Sequence, residues 1–248
     1  MHRFFVDKEN IKENKVFIVG EDVKHITKVL RLGVDDTVVL CDKEKNDFTA
    51  KISRIEKDYI ECEVLKKTKS NSEPPVEIVL YQGLPKSAKM DLIIQKCVEL
   101  GVTKIVPVLT TRTVVKIKNT NKEQKKISRW QKISEQAAKQ SRRGIIPEIG
   151  NVMTFEEMIS NIKNDEFSLV PYEDENRIGL KDILKKYNGK RVNIVIGPEG
   201  GFDESEVNKL KKIGAHIVSL GPRILRTETA GFTTIAVIMY ELGDLGVI

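Results

Sequence analysis

Apolar positions follow two different rhythms along this chain. Over residues 1–70 they come in short runs of β-branched and aromatic residues: Val16-Phe17-Ile18-Val19, Thr37-Val38-Val39-Leu40, Phe48 to Ile52 and Tyr59 to Val64. Charged, turn-forming stretches such as Lys43 to Asp47 separate them, which predicts short strands. One short helix, about Glu21 to Leu30, interrupts the series. Short strands in this number suit a small β-barrel. Lys69-Ser70-Asn71-Ser72-Glu73-Pro74-Pro75 is polar, Pro-rich and without periodicity, and reads as a linker. Residues 1–70 and 76–248 are therefore expected to be separate domains.

Beyond the linker, strands alternate with helices. Strands are predicted at Val76–Tyr81, Lys104–Leu109, Phe167–Val170, Arg191–Ile196 and Ala215–Leu220. Helices are predicted at Ser87–Leu100, Glu123–Arg143, Gly179–Lys186, Glu204–Ile213 and Glu228–Leu242. Gly101 and Gly144 supply helix stops. Asp203 and Glu206 form a box-like cap pair at the start of one helix. This alternation predicts an α/β fold with a mostly parallel sheet covered on both faces.

Composition narrows the class. In 248 residues, 40% are apolar, enough to build a core and to exclude wholesale disorder. The longest uncharged helical stretch, Thr229 to Tyr240, is too short to span a bilayer. Met1 to Asn10 lacks the apolar run of a secretory signal, so a cytoplasmic protein is expected. Cys41, Cys62 and Cys97 are scattered, as are His2, His25 and His216, so neither a disulfide framework nor a metal site is expected.

The net charge of +6 is unevenly spread. Residues 1–74 carry 15 basic and 15 acidic residues. Residues 75–150 carry 15 basic against 6 acidic, a net of +9, and residues 151–248 carry 12 against 15, a net of −3. The positive segment includes Lys116, Lys118, Lys122, Lys125, Lys126, Arg129, Lys132, Lys139, Arg142 and Arg143. Such a field suits a polyanion through phosphate neutralisation; a lysine-rich helix that only solvates the surface is the competing explanation.

In a parallel sheet, ligands bind beyond the carboxyl ends of the strands, and two predicted strand ends stand out. One is Gly197-Pro198-Glu199-Gly200-Gly201-Phe202, whose glycines let backbone N–H groups approach a ligand. It is no Walker loop, since no Gly-Lys-Ser/Thr follows, and no dinucleotide fingerprint, since the chain has no Gly-x-Gly. On spacing alone, a tight strand-to-helix turn is the better account of it. The other is Leu220-Gly221-Pro222-Arg223-Ile224-Leu225-Arg226-Thr227-Glu228-Thr229-Ala230. Ile224 and Leu225 have no packing reason to sit in a loop unless something flat covers them. Arg226 opposes the dipole of the last helix, which suggests an anionic partner; a salt bridge to Glu199 or Glu228 is the structural alternative.

Taken together, these two segments resemble the C-terminal signature of the RsmE family, SPOUT-superfamily methyltransferases that modify N3 of a uracil in 16S ribosomal RNA. The resemblance extends over nearly the whole chain. It includes Arg3-Phe4-Phe5-Val6, Val29-Leu30-Arg31-Leu32, Lys89-Met90-Asp91, Glu99-Leu100-Gly101-Val102, Arg129-Trp130 and Glu135 to Ser141. There are two departures. A single histidine, His25, stands where the family often has a pair, and Ser141-Arg142-Arg143-Gly144 carries an extra arginine. Neither falls in the C-terminal motifs.

The resemblance implies a SPOUT-type knotted parallel sheet (an α/β trefoil knot) with an N-terminal PUA-like β-barrel, a homodimer, and S-adenosylmethionine as cofactor without a metal. Its cofactor residues would be Leu169, Pro171, Tyr172, Glu173, Ile196, Gly197, Gly200, Gly201, Leu220, Gly221, Ile224 and Leu225. Arg226 would stabilise charge developing on the uracil carbonyls, with Glu199 and Glu228 as general bases or orienters. Arg3, Arg31, Lys89, Arg112, Lys122, Lys125, Lys126, Arg129, Arg142 and Arg143 would contact RNA of the small ribosomal subunit. Two other activities remain open on the same residues: a non-catalytic RNA-binding or ribosome-assembly protein, and a methyltransferase acting on a ribose hydroxyl of transfer RNA.

Overall fold

The computed structural model describes residues 1–86, 88–114, 120–164 and 167–247. The chain divides into two compact units. One comprises Met1–Glu73 with Ala138–Ile146, the other Pro74–Ala137 with Pro147–Ile248.

The first unit is a curled six-stranded sheet. Its strands are β1 (Arg3–Phe5), β2 (Ile11–Lys12), β3 (Lys15–Val19), β4 (Thr37–Cys41), β5 (Asn46–Ile55) and β6 (Tyr59–Lys69). They lie in the order β1-β4-β5-β6-β3-β2, antiparallel except for the β1–β4 pair. Period-two alternation turns Val16 and Ile18, Phe48, Ala50 and Ile52, and Ile60 and Cys62 into one core. Register shifts at Thr49/Ala50 and Ile52/Arg54 mark bulges, which bend β5 against β6 so that the sheet can curl. Helix α1 (Glu21–Lys24) runs on as a π-helical segment, His25–Leu30, and buries Val23 and Ile26 in the same core.

Residues 138–146 join this unit although the sequence reads as two consecutive stretches. The Arg143 guanidinium donates to both Glu73 carboxylate oxygens, at 2.9 and 2.8 Å, and Glu73 also accepts from the Gly144 N–H at 2.7 Å. The Cys41 thiol donates to the Gly144 carbonyl, and Lys139 pairs with Asp22. A partner 70 residues away leaves no local mark in the sequence.

The second unit holds an all-parallel sheet of β7 (Glu77–Gly83), β8 (Lys104–Leu109), β9 (Glu148–Ile149), β10 (Met153–Thr154), β11 (Ser168–Pro171), β12 (Arg191–Ile196) and β13 (His216–Val218). The order is β10-β8-β7-β12-β11-β13, with β9 also on β8. Strands β7 and β12 lie at its centre and are mostly apolar and buried along all but their first residue, as a sheet covered on both faces requires. Its helices are α2 (Lys89–Glu99), α3 (Thr120–Gln140), α4 (Phe155–Ile162), α5 (Leu180–Leu184), α6 (Glu204–Lys212) and α7 (Thr227–Glu241), the last turn of α3 counting with the first unit. The cap expected at Asp203 is formed, with Glu206 completing the box.

Several elements differ from the sequence expectation: the short strands β1, β2, β9 and β10 are additional, and β6 runs on to Lys69. Helix α3 stops at Gln140 rather than Arg143, because Arg142 is left-handed (φ 60°) and Arg143 turns to Glu73. Helix α4 is additional to the predicted helices, although Thr154 and Glu157 form a full capping box at its start. No described helix is long and apolar enough to cross a membrane.

Candidate functional site

Because the sheet is parallel, strand ends Pro171, Ile196 and Val218 lie along one edge. The loops that follow them surround two cavities of about 450 and 360 Å³. Pro171, Glu173, Ile224, Leu225 and Ala230 line both. Tyr172, Leu220 and Gly221 line the first, and Ile196, Gly197, Gly201 and Arg226 the second. Ten of the twelve residues expected to hold a cofactor thus converge. Leu169 does not, being fully buried inside β11, and Gly200 packs against Arg112 instead. The sequence reading missed Glu175, Asn176 and Ser219 as wall residues, and gave Thr227 and Ala230 no role although they lie in the segment it singled out. Ser219 adjoins that segment, and none of the three missed residues carries a signal of its own.

The glycine-rich loop is seated from both sides. Gly83, at the end of β7, lies against the Gly197-Pro198 peptide. The buried Gln82 amide donates to the Gly83 carbonyl (3.0 Å) and to the Thr227 hydroxyl (2.9 Å), which donates to the Gly197 carbonyl at 2.5 Å. One chain of hydrogen bonds therefore joins β7, the glycine-rich loop and the first residue of α7. On the other side, Arg112 donates to the Gly200 carbonyl at 3.0 Å. The buried Glu206 carboxylate accepts from both the Thr111 N–H and hydroxyl.

At the second cavity the charges are ordered. The Lys89 ammonium lies 3.2 Å from a Glu199 oxygen and 3.1 Å from a Glu228 oxygen. Glu199 also accepts from the Lys86 N–H at 3.0 Å. Burial raises the Glu199 pKa, but its own N–H, the Lys86 N–H and Lys89 outweigh that and leave it below the ordinary value. Lys89 is raised above its ordinary value, mainly by Glu228. Among the described residues, neither Arg223 nor Arg226 forms an ion pair, so the salt bridges considered as their structural explanation are not made. Ile224, at 86% exposed, is an apolar side chain held out into solvent at the cavity rim.

The expected RNA contacts separate into three groups. Arg31, Lys122, Lys125, Lys126 and Arg142 are exposed. Lys89 and Arg112 serve the cavity and its glycine-rich loop, and Arg129 donates to Asp91 at 2.7 Å. Arg3 and Arg143 are corrected: their guanidiniums are buried against Asp47 and Glu73 and are not available to phosphates. Lys116 and Lys118 lie outside the described residues.

The donor set suits a nucleoside-like cofactor. Both cavities fall in the usual size range for small ligands. They combine an apolar shelf (Ile224, Leu225) with a backbone too crowded for side chains. At Gly201 (φ 67°) an added Cβ would lie 2.5 Å from Glu173. No group of three or more potential metal ligands occurs among the described residues.

Comparison with known proteins agrees with this geometry. A family profile described as an RNA methyltransferase domain matches residues 72–239, and one described as an RNA methyltransferase PUA domain matches residues 18–65. The chain is 35% identical to ribosomal RNA small subunit methyltransferase E of Bacillus subtilis, covering 97% of each chain. The crystal structure of a ribosomal RNA small subunit methyltransferase E from Neisseria gonorrhoeae bound to S-adenosyl methionine is similar, with a TM-score of 0.89 and 31% identity over 98% of this chain and 99% of that one. A Legionella pneumophila methyltransferase in complex with the same cofactor gives a TM-score of 0.86 at 30% identity, covering 98% of each chain. A curled PUA-like sheet, a parallel α/β sheet and two cavities at its carboxyl edge thus occur in one chain, which belongs to the RNA methyltransferase family of ribosomal RNA small subunit methyltransferase E.

Proposed function

We propose that this chain is an S-adenosylmethionine-dependent methyltransferase that methylates N3 of a uracil in 16S ribosomal RNA. It acts in the cytoplasm, as a homodimer with a knotted C-terminal domain. The observation that carries this reading is the pair of cavities sharing the Pro171, Ile224 and Leu225 wall: one is apolar at its rim, the other is charged.

S-adenosylmethionine, when bound, supplies a methyl group on a cationic sulfur, a reactive donor without any metal. The remaining work falls to the protein. Ile224 and Leu225 would cover the flat adenine face, and backbone groups of Leu220 and Leu225 would meet its edge. Gly197 and Gly201 let the loop pass close to the ribose and methionine parts, with Pro171, Tyr172 and Glu173 closing the opposite wall. At the second cavity the Arg226 guanidinium is free of carboxylate partners among the described residues. It would stabilise negative charge on a uracil carbonyl as N3 gives up its proton. Glu199, its pKa held down, is ionised at neutral pH and orients by accepting hydrogen bonds. The exposed lysines of α3, together with Arg31 and Arg142, would neutralise RNA phosphates.

The test is a calorimetric titration of S-adenosylmethionine with EDTA present, alongside turnover of Arg226→Ala. Metal-free binding is expected. The variant should keep cofactor affinity within a few-fold and lose about 10²–10³-fold in turnover. Binding that required added magnesium, or a collapse of cofactor affinity with unchanged turnover at saturation, would contradict these assignments.

A further inference from the structure

Lys89 opens α2, where a cation opposes the helix dipole and needs a reason to be held. The reason lies in two other segments: Glu199 of the glycine-rich loop and Glu228 of the first turn of α7. These two carboxylates are not equivalent. Glu199 lines the second cavity beside Lys89, whereas Glu228 does not reach its wall. The Glu228 side chain is 13% exposed, and its Oε2, the oxygen 3.1 Å from Lys89, is buried without a hydrogen-bond partner. Glu228 thus sits behind Lys89 as a counter-charge rather than facing a ligand.

An ammonium has three N–H donors and no acceptor. Lys89 is held to Glu199 and Glu228 as ion pairs that engage at most two of them, so at least one N–H remains for whatever occupies the cavity that Lys89 lines. We propose that Lys89 is a catalytic residue whose third N–H donates to the carbonyl oxygen beside the methyl-accepting nitrogen. That nitrogen passes its proton to the Glu199 carboxylate on the same cavity wall and bonds to the methyl as the sulfur–methyl bond breaks; the negative charge that spreads onto the carbonyl oxygen meets a fixed cation, at no cost of reorganisation. The clamp keeps Lys89 charged, consistent with its raised pKa. Glu228, assigned from the sequence as a base or orienter, becomes a positioning residue that acts through Lys89. This inference rests on the proposed methyl transfer to a base nitrogen.

A double variant separates a catalytic cation from a structural counter-ion. Single-turnover methylation of 16S ribosomal RNA, with cofactor affinity and RNA affinity at several salt concentrations, is measured for Lys89→Met, Lys89→Arg, Glu228→Gln and Lys89→Met/Glu228→Gln. The double variant removes Lys89 together with the buried Glu228 charge, and Glu199 keeps the Lys86 N–H, so folding is protected. Its rate is expected to stay about 10²-fold down, with cofactor affinity and the salt slope of RNA binding near wild type. Lys89→Arg is expected to keep most of the rate. Recovery of the double variant to within about three-fold of wild type would overturn the proposal, reducing Lys89 to a counter-ion for Glu228. A full rate at saturating RNA with a shallower salt slope would also overturn it, making Lys89 a phosphate contact. If the wild-type protein bound cofactor but methylated no base nitrogen, the underlying function would fail instead, whatever the variants did.

Discussion

Gly83 and Pro198 are in backbone contact: a Cβ built on Gly83 would lie 2.6 Å from the Pro198 nitrogen. Two dipeptides more than a hundred residues apart, Gln82-Gly83 and Gly197-Pro198, therefore fit each other as seat and loop. Gly83→Ala should push the loop outward at about 1–3 kcal/mol, the usual cost of overpacking. The expected result is a lower melting temperature and cofactor affinity weakened by about ten-fold or more. Gly33→Ala is the control, since nothing lies within 4 Å of its added Cβ. Cofactor binding by Gly83→Ala at wild-type affinity would show that the loop is not seated there.

Thr227 extends the same joint into α7. Its hydroxyl accepts from Gln82 and donates to Gly197. Thr227→Val keeps the shape and removes both bonds, stranding a buried donor and a carbonyl at about 1–3 kcal/mol. Thr227→Ser keeps the hydroxyl and should restore most of the stability and cofactor affinity. Equal losses in the two variants, by thermal unfolding and calorimetry, would assign the effect to the missing methyl instead.

The sequence made the two rhythms, the parallel sheet and the two loop motifs legible, because each is written in consecutive residues. Ile224 and Leu225 were readable as residues of a cavity wall because apolar side chains in a loop lack any packing reason. Long-range pairings were not readable. Arg143 looks like an RNA contact until Glu73 is beside it, and Lys89 looks like surface charge until Glu199 and Glu228 close around it. Helix α4 did leave a signal, Thr154-Phe155-Glu156-Glu157, that lies between louder elements.

The positive segment provides a test of RNA binding. Lys122, Lys125, Lys126 and Lys132 are exposed on α3 and distant in sequence from all three cavity loops. Converting them to glutamate should weaken RNA binding and flatten its salt dependence, by about 0.7 in slope for each single-strand phosphate that is no longer neutralised. Cofactor affinity should not change. A wild-type salt slope would mean that these lysines only solvate the helix.

The uncovered face of α7 bears on assembly. Phe232, Ala236, Val237 and Tyr240 line an apolar groove with Leu100, and Tyr240 is 69% exposed. A helix with apolar residues on every side needs cover on every side, which a second copy would provide. Light scattering at micromolar concentration should give twice the 28.1 kDa chain mass. Ala236→Arg should shift the mass toward one chain. A wild-type monomer at that concentration would rule the interface out.

The most direct test is the identity of the methylated nucleoside. Purified protein is incubated with isotopically labelled S-adenosylmethionine and with 16S ribosomal RNA, free or in small subunits. The RNA is then digested to nucleosides for mass spectrometry. Label in 3-methyluridine at a single site, lost in Arg226→Ala, is the expected result. Label in a ribose 2′-O-methyl group, or no transfer to either substrate by protein that binds the cofactor, would contradict it.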